Sequence, residues 1–326
     1  MPIARHLHLN LRQARALWRP IQSVAVAFFT ALMVWPTAHA LEVVFEPVAP
    51  DVYAYVGDTE GRTYDNEALN ANLGLVITPA GALLIDSGAT FQSARKIAQA
   101  ARRVTQQPIR WVINTGGRDH RWLGNGYFKA QGAEIMAHAN GEADMRTRGP
   151  QQLRANAPVL RDKQHGTEVV LPTRWLTAPD TRLDLGGVEV QVVHRQGGHS
   201  PGDSMVWLPQ TGVVFTGDVV YVDRILGMNP VSKTKAWLQS FEALEALNPK
   251  VVVPGHGRVT TLTQAQRDTG HLLKALRTHM GQAVETGTDL NTAVQSFDGT
   301  PFQHLKHVDV WLPQLANHTY LEMERE

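Results

Sequence analysis

Five short segments of this 326-residue chain share one arrangement, in which an apolar run ends and a polar residue follows beside glycine. They are residues 83–88 (LLIDSG), 112–120 (VINTGGRDH), 197–203 (GGHSPGD), 215–218 (FTGD) and 252–257 (VVPGHG). Together they offer Asp86, Asp119, His120, His199, Asp218 and His256 as a carboxylate and imidazole set able to hold a metal ion. The chain has no Cys, which removes disulfides, thiolate metal sites and cysteine nucleophiles together. Nitrogen and oxygen ligands of this kind suit zinc, with iron or manganese as alternatives.

Such segments become a site only if the elements between them bring their ends together. Residues 43–56 and 73–85 carry short apolar runs broken by Pro, Gly and Asp, which predicts strands joined by tight turns. Ile97, Ala98, Ala101 and Val104 recur at helical spacing and Pro108 follows as a stop, which predicts an amphipathic helix over 91–104. A strand at 110–114, a helix at 127–132, a strand at 133–137 and a polar helix at 141–161 continue the alternation. The second half repeats it: strands at 188–193, 204–208 and 212–215, a helix at 235–247 and a buried strand at 251–253. From about residue 263 the chain reads as helical, including 264–284 and 311–324. Strand and helix in alternation predict an α/β fold, and in such sheets the loops at one edge build the site.

The order and spacing of the five segments resemble the metallo-β-lactamase fold superfamily over about residues 43–262, and within it the exported quinoprotein-relay and sulfur-oxidation-linked metallohydrolases. The resemblance implies a four-layer αβ/βα sandwich with metals in a cleft at one edge of two sheets. The family's HxHxDH motif reads here from Thr115 to His120, so Thr115 and Gly117 stand at the first two histidine positions. That empties the three-histidine metal site except for His199. Asp119, His120 and His256 match the Asp-His-His set of the other site, and Asp218 matches the bridging carboxylate. The resemblance therefore implies one zinc per chain, held by Asp119, His120, Asp218 and His256, with Asp86 supporting the ligands through hydrogen bonds. By the same logic, histidines installed at both Thr115 and Gly117 are expected to restore a second metal.

A site of this kind implies a metal-dependent hydrolase attacking an ester, lactone, thioester or amide. Asp218 or Asp119 would orient the water, and His199 would act as a weak ligand, a proton carrier or an ordinary hydrogen-bonded imidazole. Arg118 reads either as a solvated loop residue or as a cation for a substrate carboxylate or oxyanion. One metal lacks the clamp used on phosphodiesters, which disfavours nuclease activity. The alternative is a non-catalytic protein that binds metal and ligand on a decayed hydrolase scaffold, since four protein ligands close a zinc site. β-Lactamase activity proper rests on fold analogy alone.

Composition sets the outer bounds. An apolar fraction of 43% with 19% charge is globular, excluding disorder or coiled coil as whole-chain descriptions. With 31 basic against 30 acidic side chains there is no excess cation for nucleic acid. Residues 1–40 contain Arg5, Arg12, Arg15 and Arg19 with no acid, then an apolar stretch ending Ala38-His39-Ala40. This is the pattern of a secretory signal peptide, too short in its apolar part for a span of ~20 residues. Its removal after Ala40 leaves 27 basic and 30 acidic side chains, net −3. The expectation is a periplasmic or secreted single domain, residues 41–326, with a small-molecule substrate and no nucleic-acid or membrane partner.

Overall fold

The computed structural model describes residues 41–326; the expected signal peptide at 1–40 lies outside them. A first sheet of seven strands follows chain order: β1 (Glu46–Ala49), β2 (Val52–Tyr55), β3 (Leu73–Thr78), β4 (Gly81–Ile85), β5 (Ile109–Asn114), β6 (Glu134–His138) and β7 (Arg174–Leu176). Pairing is antiparallel from β1 to β4 and parallel from β4 to β7. The crossovers that parallel pairing requires are α1 (Phe91–Val104) between β4 and β5, and the short α2 (Asp119–Trp122) and α3 (Asn125–Ala130) between β5 and β6. The long α4 (Glu142–Leu160) connects β6 to β7.

A second sheet of five strands has the spatial order β12-β11-β10-β9-β8. Its strands are β8 (Asp180–Asp184), β9 (Glu189–His194), β10 (Ser204–Leu208), β11 (Val213–Phe215) and β12 (Val251–Val253). Only β11 and β12 pair in parallel, joined through α5 (Thr234–Leu247). Four helices follow: α6 (Leu262–Ala265), running through a π-turn at Gln266–Gly270 into α7 (His271–Glu285), then α8 (Leu290–Ser296) and α9 (Val308–Met323). Among the described residues, no helix is long and apolar enough to cross a membrane.

The side-chain alternation of each strand assigns the layers. In β4, Ala82 and Leu84 face the core beneath α1 and α3, whereas Leu83 and Ile85 face the second sheet. In the second sheet Val190, Val192, Val206 and Phe215 face the first, while Val193, Met205, Val214 and Val252 pack against α5, α7 and α9. The central strands of both sheets are thus buried on two faces, so strands such as β4 and β11 read as continuous apolar runs. The result is helix, sheet, sheet, helix, the four-layer α/β sandwich the sequence implied.

Several boundaries differ from the sequence reading. Strands β7 and β8 and helix α8 lie in stretches where the periodicity is too weak to read, and α2 forms within the VINTGGRDH loop itself. The register puts the chemistry on one edge: Ile85 pairs with Ile113 and Phe215 with Val253, so the chain leaves β4, β5, β11 and β12 towards the same end. The β9–β10 turn brings the loop holding His199 to that end as well.

Candidate metal centre

Arg121, a residue the sequence reading passed over, organises the floor of the site. Its side chain is 1% exposed. Nη1 donates to Asp86 Oδ2 at 2.9 Å and to the Asn72 carbonyl at 3.1 Å. Nη2 donates to Asp218 Oδ1 at 2.6 Å and to the Gly255 carbonyl at 3.1 Å. Glycine at 255 makes room for both the Gly217 backbone and the guanidinium: a Cβ there would collide with the Gly217 carbonyl oxygen and lie 2.5 Å from Arg121 Nη2. Asp86, in left-handed backbone (φ 64°) where Asp is tolerated, also accepts from Thr115 N at 2.7 Å and Thr115 Oγ1 at 2.8 Å. Burial pushes its carboxyl up to about 6 despite Arg121. Asp86 thus holds Arg121 and Thr115 rather than any of the histidines.

Asp218 sits between this floor and three imidazoles. His256 Nε2 lies 3.2 Å from Oδ1, and His120 Nε2 and His199 Nδ1 lie 3.4 Å each from Oδ2. Burial alone would raise the Asp218 carboxyl, but Arg121 and the facing imidazoles outweigh it and hold it well below the usual carboxylate range. Burial pushes His120 down to about 4 and His199 down to about 3, and pushes His256 well below its ordinary value. The imidazoles are therefore neutral at neutral pH, the state a metal ligand requires.

The structure brings together His120, Asp218 and His256, each offering one ligand atom within 4.8 Å of the others, all buried. His256 is preset for ligation: Nδ1 donates to the Asn70 carbonyl at 2.9 Å, leaving the Nε2 lone pair towards Asp218. Asp119 and His199 stand apart from that trio, each held by partners of its own. The Asp119 carboxylate accepts from Arg62 through Nε at 2.7 Å and through Nη2, and from Asn156 Nδ2 at 2.8 Å. Arg118 Nε approaches it at 3.5 Å. Burial would raise this carboxyl, yet Arg62 and Arg118 hold it far below its usual range. Asn229 donates its amide to the His199 carbonyl at 2.7 Å and faces His199 Nε2 at 3.2 Å. Its own Oδ1 is fixed by Val231 N at 3.0 Å. That arrangement puts the His199 proton on Nδ1, which has no hydrogen-bond partner.

A single divalent cation fits this donor set: two neutral imidazoles and one carboxylate held ionised at neutral pH by Arg121. Arg62 qualifies the fit, because its Nη2 lies 3.3 Å from His120 Nδ1 and favours the tautomer with the proton on Nε2. The positions that would rebuild a second site are occupied. Thr115 holds Asp86, and a Cβ on Gly117 would lie 2.8 Å from Asp144 Oδ2.

Above the metal centre is a cavity of about 200 Å³. Arg62, Arg118 and Arg224 line it with His120, His199 and His256, and Tyr221 and Trp311 form its aromatic wall. Arg118 lines the cleft, the second of the two readings the sequence left open for it. Arg62, Arg224, Asn156 and Asn229 were not legible, since each lies outside the glycine-flanked strand ends. Only Arg121, directly after His120, was close enough to a motif to be suspected.

Comparison with known proteins bears on this geometry. A family model described as the metallo-beta-lactamase superfamily matches residues 67–256. A metallo-beta-lactamase type 2 of Bacillus sp. (strain 170) is 27% identical over 206 residues, 62% of this chain and 72% of that protein. The uncharacterized protein ML0493 of Mycobacterium leprae is 37% identical over 91 residues, 26% of this chain and 41% of its own length. The chain thus spans less than half of that relative. The sec-alkylsulfatase Pisa1 from Pseudomonas sp. superposes with a TM-score of 0.68 at 18% identity, over 85% of this chain and 50% of that one, a likeness of fold.

Proposed function

The chain belongs to the metallo-β-lactamase superfamily, and from that premise we propose a hydrolase that uses one divalent metal, zinc, at His120, Asp218 and His256. Its substrate is an ester, lactone, thioester or amide. The observation that carries the reading is the ligand count. Three buried ligand atoms lie within 4.8 Å of one another, while Asp119, able to add a fourth, has both its oxygens taken by Arg62. Three protein ligands with an open position is the catalytic pattern, whereas closed four-ligand sites are structural. This favours an enzyme over the non-catalytic binding protein.

A metal held there supplies Lewis acidity and hydroxide near neutral pH. The chain's own groups do the rest. Asp218, kept ionised by Arg121 at Oδ1, would hold the metal through Oδ2, the oxygen turned to His120 and His199. His199 presents its Nδ1 proton on the same side. Asp119 acts through Arg62, fixing that guanidinium at the cleft beside Arg118. Export belongs to the proposal too, and intact-mass measurement of the exported chain should find Leu41 at its N-terminus.

Elemental analysis of the purified protein, with turnover of a panel of activated esters, lactones and thioesters, tests the reading. About one metal per chain is expected, and His256→Ala should lose both metal and turnover while remaining folded. A folded wild type that binds metal but turns over nothing in the panel would remove the hydrolase reading. Unchanged turnover in the His256 variant would move the activity to another site.

A further inference from the structure

Arg224 is a buried cation with no anion beside it. It is 4% exposed, and its Nε has no hydrogen-bond partner. Its one hydrogen bond runs from Nη1 to the Glu60 carbonyl at 3.5 Å, and no carboxylate pairs with it among the described residues. The guanidinium lies over the rings of Trp311 at 4.6 Å and Tyr221 at 5.7 Å, which fix its plane. Buried arginines are almost always paired, and a buried charge without a partner is costly to keep. Arg224 nevertheless lines the cavity above the metal centre, together with Arg118 and Arg62.

The charges around that cavity do not cancel. Asp119 is matched by Arg62, and Arg121 is shared between Asp218 and Asp86. Four arginines thus face three acids, an excess of one cation carried by Arg118 and Arg224, the first with only its 3.5 Å approach to the already paired Asp119. We infer that the cavity is an oxyanion seat: the substrate carries a carboxylate, sulfate or phosphate group that docks between Arg224 and Arg118. An anion there answers the orphaned Nε and the unmatched charge together, and the planar fork of arginine suits all three groups. A groove of about 550 Å³ adjoins the cavity, sharing Met228 and Gln314. Asn229, Asn291, Gln295 and Asn317 line it together with Pro230, Val294 and Pro313, and no carboxylate, lysine or arginine does, so the remainder of the substrate is uncharged. The assignment of the anion to a substrate rests on the hydrolase reading; the existence of the seat does not.

The test is therefore made without catalysis. Thermal unfolding of the full chain is followed against increasing sulfate, phosphate or acetate, with a chelator present so that no metal can hold the anion, and chloride matched for ionic strength. A saturable rise in midpoint is expected for at least one of the three, and which one responds best separates tetrahedral from planar groups. Arg224→Gln should weaken the response at least tenfold and, without anion, unfold at a higher temperature than wild type because the unmatched charge is gone. If that variant fails to fold, Arg118→Gln, at a half-buried position, should weaken the same response. No response beyond chloride in the wild type overturns the seat. An undiminished response in a folded Arg224→Gln overturns its location. Loss of turnover in an intact anion binder would instead count against the hydrolase reading alone.

Discussion

Replacing Arg121 by Met tests whether the site floor is held by charge. The guanidinium makes four hydrogen bonds, two of them to carboxylates at 2.9 and 2.6 Å, with its side chain and both acids about 1% exposed. Methionine fills most of the volume, so the loss is mainly electrostatic: two buried carboxylates are left without their cation. Breaking a buried pair in this way costs about 3–5 kcal/mol. For a chain of this size unfolding entropy is about 0.6 kcal/mol per degree, so the melting temperature should fall by roughly 5–8 °C. Urea unfolding in the presence of a chelator measures the loss directly. Adding Asp86→Asn to Arg121→Met should return at least about 1 kcal/mol, because one stranded charge disappears. The pH dependence gives a second check. In the wild type, Asp218 has a depressed pKa, so its stabilising contribution is present above the unfolded carboxyl pKa and is lost only as pH falls towards the folded value. In Arg121→Met the native state binds protons more readily than the unfolded chain, so its deficit should shrink from pH 7 to 5. A loss under about 1 kcal/mol, or a deficit indifferent to Asp86→Asn, would refute the account.

Four further outcomes follow from other parts of the structure. Arg62→Met should tighten zinc binding by calorimetry, because His120 Nδ1 is freed to carry the proton, while lowering the stability of the metal-free protein by stranding Asp119. Thr115→His with Gly117→His should leave the metal content at about one per chain, since Asp144 stands 2.8 Å from where the second Cβ must go; two metals would show that Asp144 yields. Gly255→Ala should destabilise by about 1–3 kcal/mol in urea unfolding, as the methyl collides with the Gly217 carbonyl and with Arg121. His138, stacked on His194 at 3.6 Å and pushed down to about 4 by burial, is neutral when folded. Stability should therefore fall as pH drops from about 6.5 towards 4, where only the unfolded chain takes the proton, and His138→Gln should flatten that slope.

The sequence displayed the strand and helix alternation because the central strands are covered on two faces, which turns stretches such as 83–85 and 251–253 into unbroken apolar runs, while the four layers were implied only by the family resemblance. It also displayed His120, Asp218 and His256, because each follows such a run beside glycine. Missing were the residues that decide how those ligands are used. Arg62 reaches Asp119 across 57 positions and Asn156 reaches it across 37. Asn229 reaches His199 across 30. No local periodicity encodes partnerships of that length. The reading of Asp119 as a ligand followed from its place beside His120, and only the fold reveals that a guanidinium holds both its oxygens.

The arginines also bear on why the chain can do without histidines at 115 and 117. A second metal would bring positive charge beside Asp86, Asp119 and Asp218, and here Arg121 and Arg62 already supply it from within the chain. Unlike a metal, a guanidinium needs no loading, so two of the three acidic charges are offset before any cation arrives. The three acids are thus satisfied by protein, and metal binding draws only on neutral imidazoles and the Asp218 oxygen turned away from Arg121. Affinity for one metal should accordingly be moderate, and folding independent of it. The unmatched cations of the cleft, Arg118 and Arg224, then place the uncompensated charge where a ligand can reach it.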